Sequence, residues 1–294
     1  MIIIGGSSHP GLTERVAERL GWELIKANTK KFADQELKVQ IDKDLYEQDV
    51  VIVQSTSRPA NDHLMELLLL ADTAKRAGCR RITAVIPYFG YGRQDRPSYT
   101  YGPISASLVG RLIETSGVDR IIALDMHTKQ SEGFFRIGVK NLEPTDLFIP
   151  ELKSRDNYVV VSPDVGGLPR AKIYAAKLGT DLAIINKSRS SSGECTMSDI
   201  IGNIAGKSCI IVDDIIDTGD TLCKAAHLLI NSGASSVSAC ITHAVFSDDC
   251  IEKIEQAELE AFYTTDTIDH PQLPSHIKVI ATHKLISGAL SIAP

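Results

Sequence analysis

Short apolar runs and longer amphipathic stretches alternate along this chain. Ile2–Ile4 reads as a first strand running into Gly5-Gly6-Ser7-Ser8-His9-Pro10, after which Leu12, Val16 and Leu20 recur at helical spacing up to Gly21. Leu37, Val39 and Ile41 alternate as in a half-buried strand, whereas Val50–Val53 is the continuous run of a strand covered on both faces. Leu64, Leu67, Leu68, Ala71 and Ala74 predict a helix over Asn61–Ala77, capped by Gly78. Ile82–Ile86 is the next strand, Pro103 starts a helix through Leu108, Leu112 and Ile113, and Asp119–Leu124 is a strand. Around Glu143–Ile149 the pattern restarts with a strand at Tyr158–Val161, a helix at Ala171–Leu178 and a strand at Asp181–Ile185. Cys209–Val212 follows as a β-branched-rich strand, then a helix with Leu222, Ala225, Ala226, Leu229 and Ile230 on one face and Gly233 as its stop. Ser236–Val245 is a strand, Asp248–Gln256 a helix, and strands near Ala261 and Val279 close the chain. Strands alternating with helices twice over predict an α/β fold of two doubly wound parallel-sheet domains, residues 1–144 and 145–294.

Composition narrows the function classes. At 294 residues the chain has room for about two domains. A net charge of −6 without a basic concentration argues against nucleic acid, and no apolar run is long enough to span a bilayer. The first residues, Met1-Ile2-Ile3-Ile4-Gly5, are too few for a signal peptide. Six cysteines lie far apart without C-x-x-C spacing, so a reduced, cytoplasmic protein is expected.

The most informative stretch is Val212-Asp213-Asp214-Ile215-Ile216-Asp217-Thr218-Gly219-Asp220-Thr221. Asp213 and Asp214 stand at the expected end of the Cys209–Val212 strand, and Asp217 opens a small-residue turn into a helix. Such a turn directs several backbone N–H groups at one spot, with the positive end of the helix dipole behind them. Thr218 and Thr221 add hydroxyls suited to a phosphate monoester, and the carboxylates can accept from vicinal sugar hydroxyls. Taken alone, acidic residues there would read as a solvated loop tip. The ordered string reads instead as a pocket for ribose 5-phosphate, and it resembles the phosphoribosyl-binding signature of the phosphoribosyltransferase fold.

Other loops also fall at strand ends, where ligands collect in doubly wound sheets. Asp125/His127, Asp164, Lys187/Arg189 and Asp213/Asp214 all stand there. Lys31-Phe32-Ala33-Asp34-Gln35-Glu36 precedes a strand, and Phe32 reads locally as a hydrophobic plug or a stacking surface for a base, with the plug favoured. Pro87-Tyr88-Phe89-Gly90-Tyr91-Gly92-Arg93-Gln94-Asp95-Arg96 mixes aromatics, glycine and arginine, which suits a purine nucleotide or a mobile surface loop. Ser190–Glu194 has no apolar pattern and reads as a flexible loop.

Nearly end to end, the chain resembles the ribose-phosphate diphosphokinase (phosphoribosyl diphosphate synthetase) family. The likeness is carried by the loop after the first strand, Phe32–Glu36, the Pro87–Arg96 loop, Asp125-Met126-His127, Ser162-Pro163-Asp164-Val165-Gly166-Gly167, Lys187-Ser188-Arg189 and the ribose-phosphate turn. The resemblance implies transfer of the β,γ-diphosphoryl group of MgATP to the C1 hydroxyl of ribose 5-phosphate, releasing AMP. It implies that Phe32, Asp34, Gln35 and Glu36 lie beside the adenosine across a homodimer interface, with Arg93 and Gln94 on the base and phosphates. His127 and Asp164 become Mg²⁺ positions; Asp is a suitable hard donor and His an unusual one. Asp213, Asp214, Asp217, Thr218, Gly219, Asp220 and Thr221 become the ribose 5-phosphate site, and Lys187 and Arg189 the cations over the transferred group, with Ser190–Glu194 a candidate lid.

Three features depart from the family pattern. Asp220 replaces a small residue, so its side chain must turn away from the phosphate. Pro97-Ser98-Tyr99-Thr100-Tyr101 replaces a basic run, and the chain stops at Pro294, earlier than the common bacterial form. The last two argue for a weak allosteric response to ADP. Two alternatives are a phosphoribosyltransferase, which would release diphosphate rather than AMP, and a non-catalytic regulatory subunit, which should have lost positions such as Lys187 and Asp164.

Overall fold

The computed structural model describes residues 1–153, 157–189 and 195–291; for 187–189 and 195–198 it describes the backbone alone. The chain divides into two compact units. One comprises Met1–Glu143, Thr267–Asp269 and Ala281–Pro294, the other Pro144–Asp266 and His270–Ile280.

The first unit contains, in chain order, β1 (Ile2–Gly5), α1 (Pro10–Leu20), β2 (Glu23–Lys26), β3 (Asn28–Lys31), β4 (Leu37–Gln40), β5 (Asp49–Val53), α2 (Ala60–Arg76), β6 (Arg81–Ile86), α3 (Ser105–Thr115), β7 (Arg120–Leu124) and β8 (Gly138–Leu142). Six strands form a parallel sheet in the order β2-β1-β5-β6-β7-β8. The continuous apolar runs are explained by its two covered faces. Ile2, Ile4, Val50 and Ile52 pack with Leu64, Leu67 and Leu70 of α2. Ile3, Val51 and Val53 face the other way, onto Leu12 and Val16 of α1. β3 and β4 pair antiparallel as a separate hairpin.

Two details differ from the sequence reading. α3 begins at Ser105 and buries Ala106, Val109, Gly110 and Ile113, leaving Leu108 and Leu112 exposed. The last helix of the chain returns to the first unit, where Ile286, Ala289 and Leu290 join the core around Leu12 and Val16. The sequence reading closed the chain on strands near Ala261 and Val279 and predicted no helix here, so its division at 144/145 placed this segment in the second domain.

The second unit contains α4 (Thr145–Leu152), β9 (Tyr158–Ser162), α5 (Leu168–Leu178), β10 (Leu182–Arg189), β11 (Cys195–Ile201), β12 (Ser208–Ile216), α6 (Asp220–Asn231), β13 (Ser236–Ala244), α7 (Cys250–Gln256), β14 (Ala261–Thr265) and β15 (Ile277–Ile280). The returning helix is α8 (His283–Ser291). The seven-stranded sheet has the order β11-β10-β9-β12-β13-β14-β15, parallel except for the β10–β11 pair. Along β12, Ile210 and Val212 face α4 and α5, while Cys209 and Ile211 face α6 and α7. Among the described residues Cys79, Cys209, Cys223, Cys240 and Cys250 are free thiols. Burial pushes Cys209 up to about 11 and Cys250 up to about 12, so neither is a thiolate near neutrality.

Candidate active site

β12 runs three residues beyond Asp213, to Ile216, so the acidic pair lies inside the strand rather than at its end. Its two neighbours explain how the pair is still available. Pairing with β9 stops at Ile211, whereas pairing with β13 continues to Ile216. On the β9 side the sheet therefore opens at the acidic pair.

Asp214 continues the parity of Ile210 and Val212 and so points to the α5 face. There Arg170, in the first turn of α5, places Nη1 3.2 Å from Asp214 Oδ1 and 3.6 Å from Asp213 Oδ1. Asp214 is buried, Asp213 partly exposed, and the Asp214 N–H donates to Asp213 Oδ1 at 2.9 Å. Loss of hydration, then the adjacent Asp214 carboxylate, pushes the Asp213 carboxyl well above the usual carboxylate range, against the pull of Arg170. Asp164 adds its own charge to the same patch. It stands in the β9–α5 connection, where its Oδ1 accepts the Gly167 N–H at 3.0 Å and its carbonyl accepts from Ser162 Oγ at 2.7 Å. A β-carbon at Gly167 would meet Ser162 Oγ at 2.9 Å, so a side chain there would displace that hydroxyl.

The Asp217–Thr221 turn follows β12 directly. Gly219 has φ of 82° and forms the N-cap of α6, a conformation that side-chain-bearing residues rarely adopt. A β-carbon there would also sit 3.2 Å from Cys250 Sγ. Asp217 and Thr218 are partly buried, Asp220 and Thr221 exposed. Asp220 turns aside, with Oδ1 2.8 Å from Lys253 Nζ and Oδ2 accepting from Thr218 Oγ1 at 3.1 Å.

In the first unit, Phe32, Asp34, Gln35 and Glu36 form the exposed tip of the β3–β4 hairpin. Phe32 is 52% exposed, which removes the plug reading. The tip is held by Phe32 N–H to Glu36 carbonyl at 2.8 Å, Gln35 N–H to Phe32 carbonyl at 3.0 Å and Glu36 N–H to Asp34 Oδ1 at 3.1 Å, with Gln35 at positive φ. Arg93 and Gln94 are exposed in the β6–α3 loop, where Ser105 Oγ donates to Gln94 Oε1 at 2.6 Å. His127 stands just past β7, and the two loops meet: Thr128 Oγ1 donates to Asp95 Oδ2 at 3.1 Å, and Gly92 lies against His127 Cβ.

Sequence reasoning missed two residues. Arg170 falls just before the helix expected at Ala171–Leu178 and was not singled out. Glu66 lies in an otherwise apolar run of α2 and is 1% exposed, a placement a carboxylate adopts only with partners. It accepts from Ser7 N–H at 3.1 Å, Thr29 Oγ1 at 2.7 Å, Gln54 Nε2 at 2.7 Å and the Ser7 hydroxyl. It thereby ties the hairpin's base to the loop after β1. The first turn of α2 adds Asp62, 2.5 Å from Lys31 Nζ, and Asn61, which accepts from the Tyr91 hydroxyl. The backbone of Lys187 and Arg189 belongs to β10, paired with β11 opposite Met197 and Cys195. Their side chains and the expected lid at Ser190–Glu194 lie outside the described residues.

The two doubly wound sheets, parallel apart from the β10–β11 pair, define an α/β fold. The family described as the N-terminal domain of ribose phosphate pyrophosphokinase matches residues 1–117, and the phosphoribosyl transferase domain family matches residues 149–274. A ribose-phosphate pyrophosphokinase of Agrobacterium fabrum is 43% identical over 297 residues, covering 99% of this chain and 96% of the relative. That of Thermotoga maritima is 43% identical over 295 residues, covering 99% and 94%. The crystal structure of phosphoribosylpyrophosphate synthetase from Mycobacterium smegmatis superposes with a TM-score of 0.93 at 33% identity, covering 99% of this chain and 97% of that one. The chain belongs to the ribose-phosphate pyrophosphokinase family.

Proposed function

We propose that the enzyme transfers the β,γ-diphosphoryl group of MgATP to the C1 hydroxyl of ribose 5-phosphate, giving 5-phosphoribosyl 1-diphosphate and AMP. The observation that carries the site assignment is the Asp213/Asp214 pair at the opening of the sheet, followed at once by a helix-capping turn. In this reading the turn's N–H groups and the Thr221 hydroxyl seat the 5′-phosphate, while Asp213, Asp214 and Asp217 accept from the sugar hydroxyls. Arg170 holds the acidic pair in place. The Phe32–Glu36 tip and Arg93 and Gln94 receive the adenosine and its phosphates. Lys187 and Arg189 offset charge that grows on the transferred group, and positioning supplies the rest.

Asp164 has the hard oxygen donor that Mg²⁺ requires, and a Mg²⁺ bound through nucleotide phosphates needs only one or two protein carboxylates. Asp164 would hold it, and the ion would neutralise the triphosphate oxygens.

A homodimer or higher homo-oligomer belongs to the same reading. Ile104, Leu108 and Leu112, at successive turns and 39–47% exposed, leave an apolar stripe on α3, and the Phe32 ring stands open. Among the described residues no helix is long and apolar enough to cross a membrane, and the free thiols suit a reduced cytoplasm. The test is product analysis with MgATP and ribose 5-phosphate. AMP formed in step with 5-phosphoribosyl 1-diphosphate is expected; release of diphosphate without AMP, as a phosphoribosyltransferase would give, or no turnover at all, overturns it.

A further inference from the structure

The turn assigned to the sugar phosphate carries a charge of the wrong sign. Asp220 is the first residue of α6, so its carboxylate belongs to the same helix N-terminus that would receive a phosphate dianion. Helix N-termini favour anions in general, and a carboxylate left at that point would compete with the phosphate for the N–H groups and repel it.

The side chain is instead restrained, by Lys253 from outside the turn and by Thr218 within it. Lys253 Nζ lies 2.8 Å from Asp220 Oδ1 and 2.9 Å from Asp249 Oδ1, and Thr218 Oγ1 donates to Asp220 Oδ2. Lys253 is delivered by α7, a segment fitted closely to the turn. The Ser247 N–H donates to the Asp217 carbonyl at 3.0 Å, the Cys250 sulfur packs where a Gly219 side chain would stand, and the Cys223 thiol donates to the Lys253 carbonyl at 3.4 Å. The two carboxylates raise the Lys253 ammonium above its usual range, and Lys253 with Thr218 lowers Asp220. Both therefore stay charged across physiological pH.

We propose that Lys253 is a positioning residue for the sugar-phosphate site: it holds Asp220 aside and neutralises it, so that a turn bearing an extra carboxylate still accepts a phosphate dianion. A turn with a small residue at this position has no need of such a restraint. The inference rests on reading Asp217–Thr221 as the phosphate seat, and the experiment separates the two.

Steady-state kinetics with ribose 5-phosphate at saturating MgATP would compare wild type with Lys253→Met, Lys253→Arg, Asp220→Ala/Lys253→Met and Thr221→Ala, each checked for folding by its melting curve. Lys253→Met is expected to raise KM for ribose 5-phosphate roughly three- to tenfold, the scale of partly screened charge interactions, with kcat and KM for MgATP within about twofold of wild type. The gap should narrow at about 0.5 M salt, which shortens the Debye length to a few ångströms. Lys253→Arg should behave as wild type, and the double variant should recover the affinity. If the double variant stays as weak as Lys253→Met, the lysine does not act through Asp220 and the proposal falls. If Lys253→Met is neutral while Thr221→Ala weakens binding, the phosphate seat stands and the role of Lys253 falls. If neither variant affects ribose 5-phosphate, the seat itself is misassigned and the proposal falls with it.

Discussion

The Arg170 guanidinium lies 3.2 Å from the Asp214 carboxylate, and the arginine and its partner are 14% and 5% exposed at the side chain. With Asp213 beside it, one cation serves two adjacent acids at the point where β9 stops pairing with β12. Removing the cation would leave the buried Asp214 carboxylate beside that of Asp213 without this counter-charge. Arg170→Met is therefore expected to destabilise the fold by on the order of 3 kcal/mol and to weaken ribose 5-phosphate binding, measured by denaturant unfolding and by titration calorimetry. Unchanged stability would mean that the pair does not depend on this arginine.

Asp213 gives a prediction in pH. Its carboxyl is held above the ordinary range by lost hydration and by Asp214, so the folded chain binds that proton more tightly than the unfolded chain does. The folded state is thus favoured while pH is below the unfolded value of about 3.9, and that advantage is lost as pH rises through the folded value. Asp213→Asn mimics the protonated acid and can keep the Asp214 N–H hydrogen bond. Its Tm should exceed that of wild type at neutral pH, the difference shrinking as pH falls towards the ordinary carboxylate range, while ribose 5-phosphate affinity drops. Melting curves across that range decide the matter, and a Tm below wild type at neutral pH would count against it.

Thr29 links the β3–β4 hairpin to Glu66 through one hydrogen bond of 2.7 Å. Thr29→Val removes that link and leaves Glu66 its donors from Ser7 and Gln54. One such bond contributes about 0.5–1.5 kcal/mol. If the hairpin tip receives adenosine, KM for ATP should rise about two- to tenfold while KM for ribose 5-phosphate holds and the melting temperature falls by no more than a few degrees. Equal loss for both substrates would remove the hairpin from the adenosine site.

Lys187→Ala addresses the transferred group. A cation that acts mainly on the transition state should, when deleted, lower kcat by about 10²–10³ with much smaller changes in either KM. A kcat within about threefold of wild type, far below that loss, would show that Lys187 is not the catalytic cation.

The core strands were legible because a strand covered on both faces has to be apolar without interruption, as Val50–Val53 and Cys209–Val212 are. β3 was not: Asn28-Thr29-Lys30-Lys31 is a polar edge of a small hairpin and has no buried face to announce it. The Asp217–Thr221 turn stood out in the sequence as an ordered string ahead of a helix, and the family resemblance called for Asp220 to turn aside; its carboxylate meets Lys253 and Thr218. Its partner Lys253 was not legible, because nothing local connects residues 220 and 253. Arg170 and Glu66 were hidden for the same reason: each works through partners distant in sequence. Leu108 and Leu112 misled in the opposite direction, since an apolar stripe reads the same whether its own unit or another chain covers it.

The return of α8 to α1 also sets an order of assembly. When Glu143 leaves the ribosome, the face of the first sheet around Leu12, Val16 and Val51 still lacks Ile286, Ala289 and Leu290. About 140 further residues, most of them in the other unit, must be synthesised before those three arrive, roughly 7–28 s of translation. For that interval the nascent first half leaves the apolar face around Leu12, Val16 and Val51 without the side chains that complete its core.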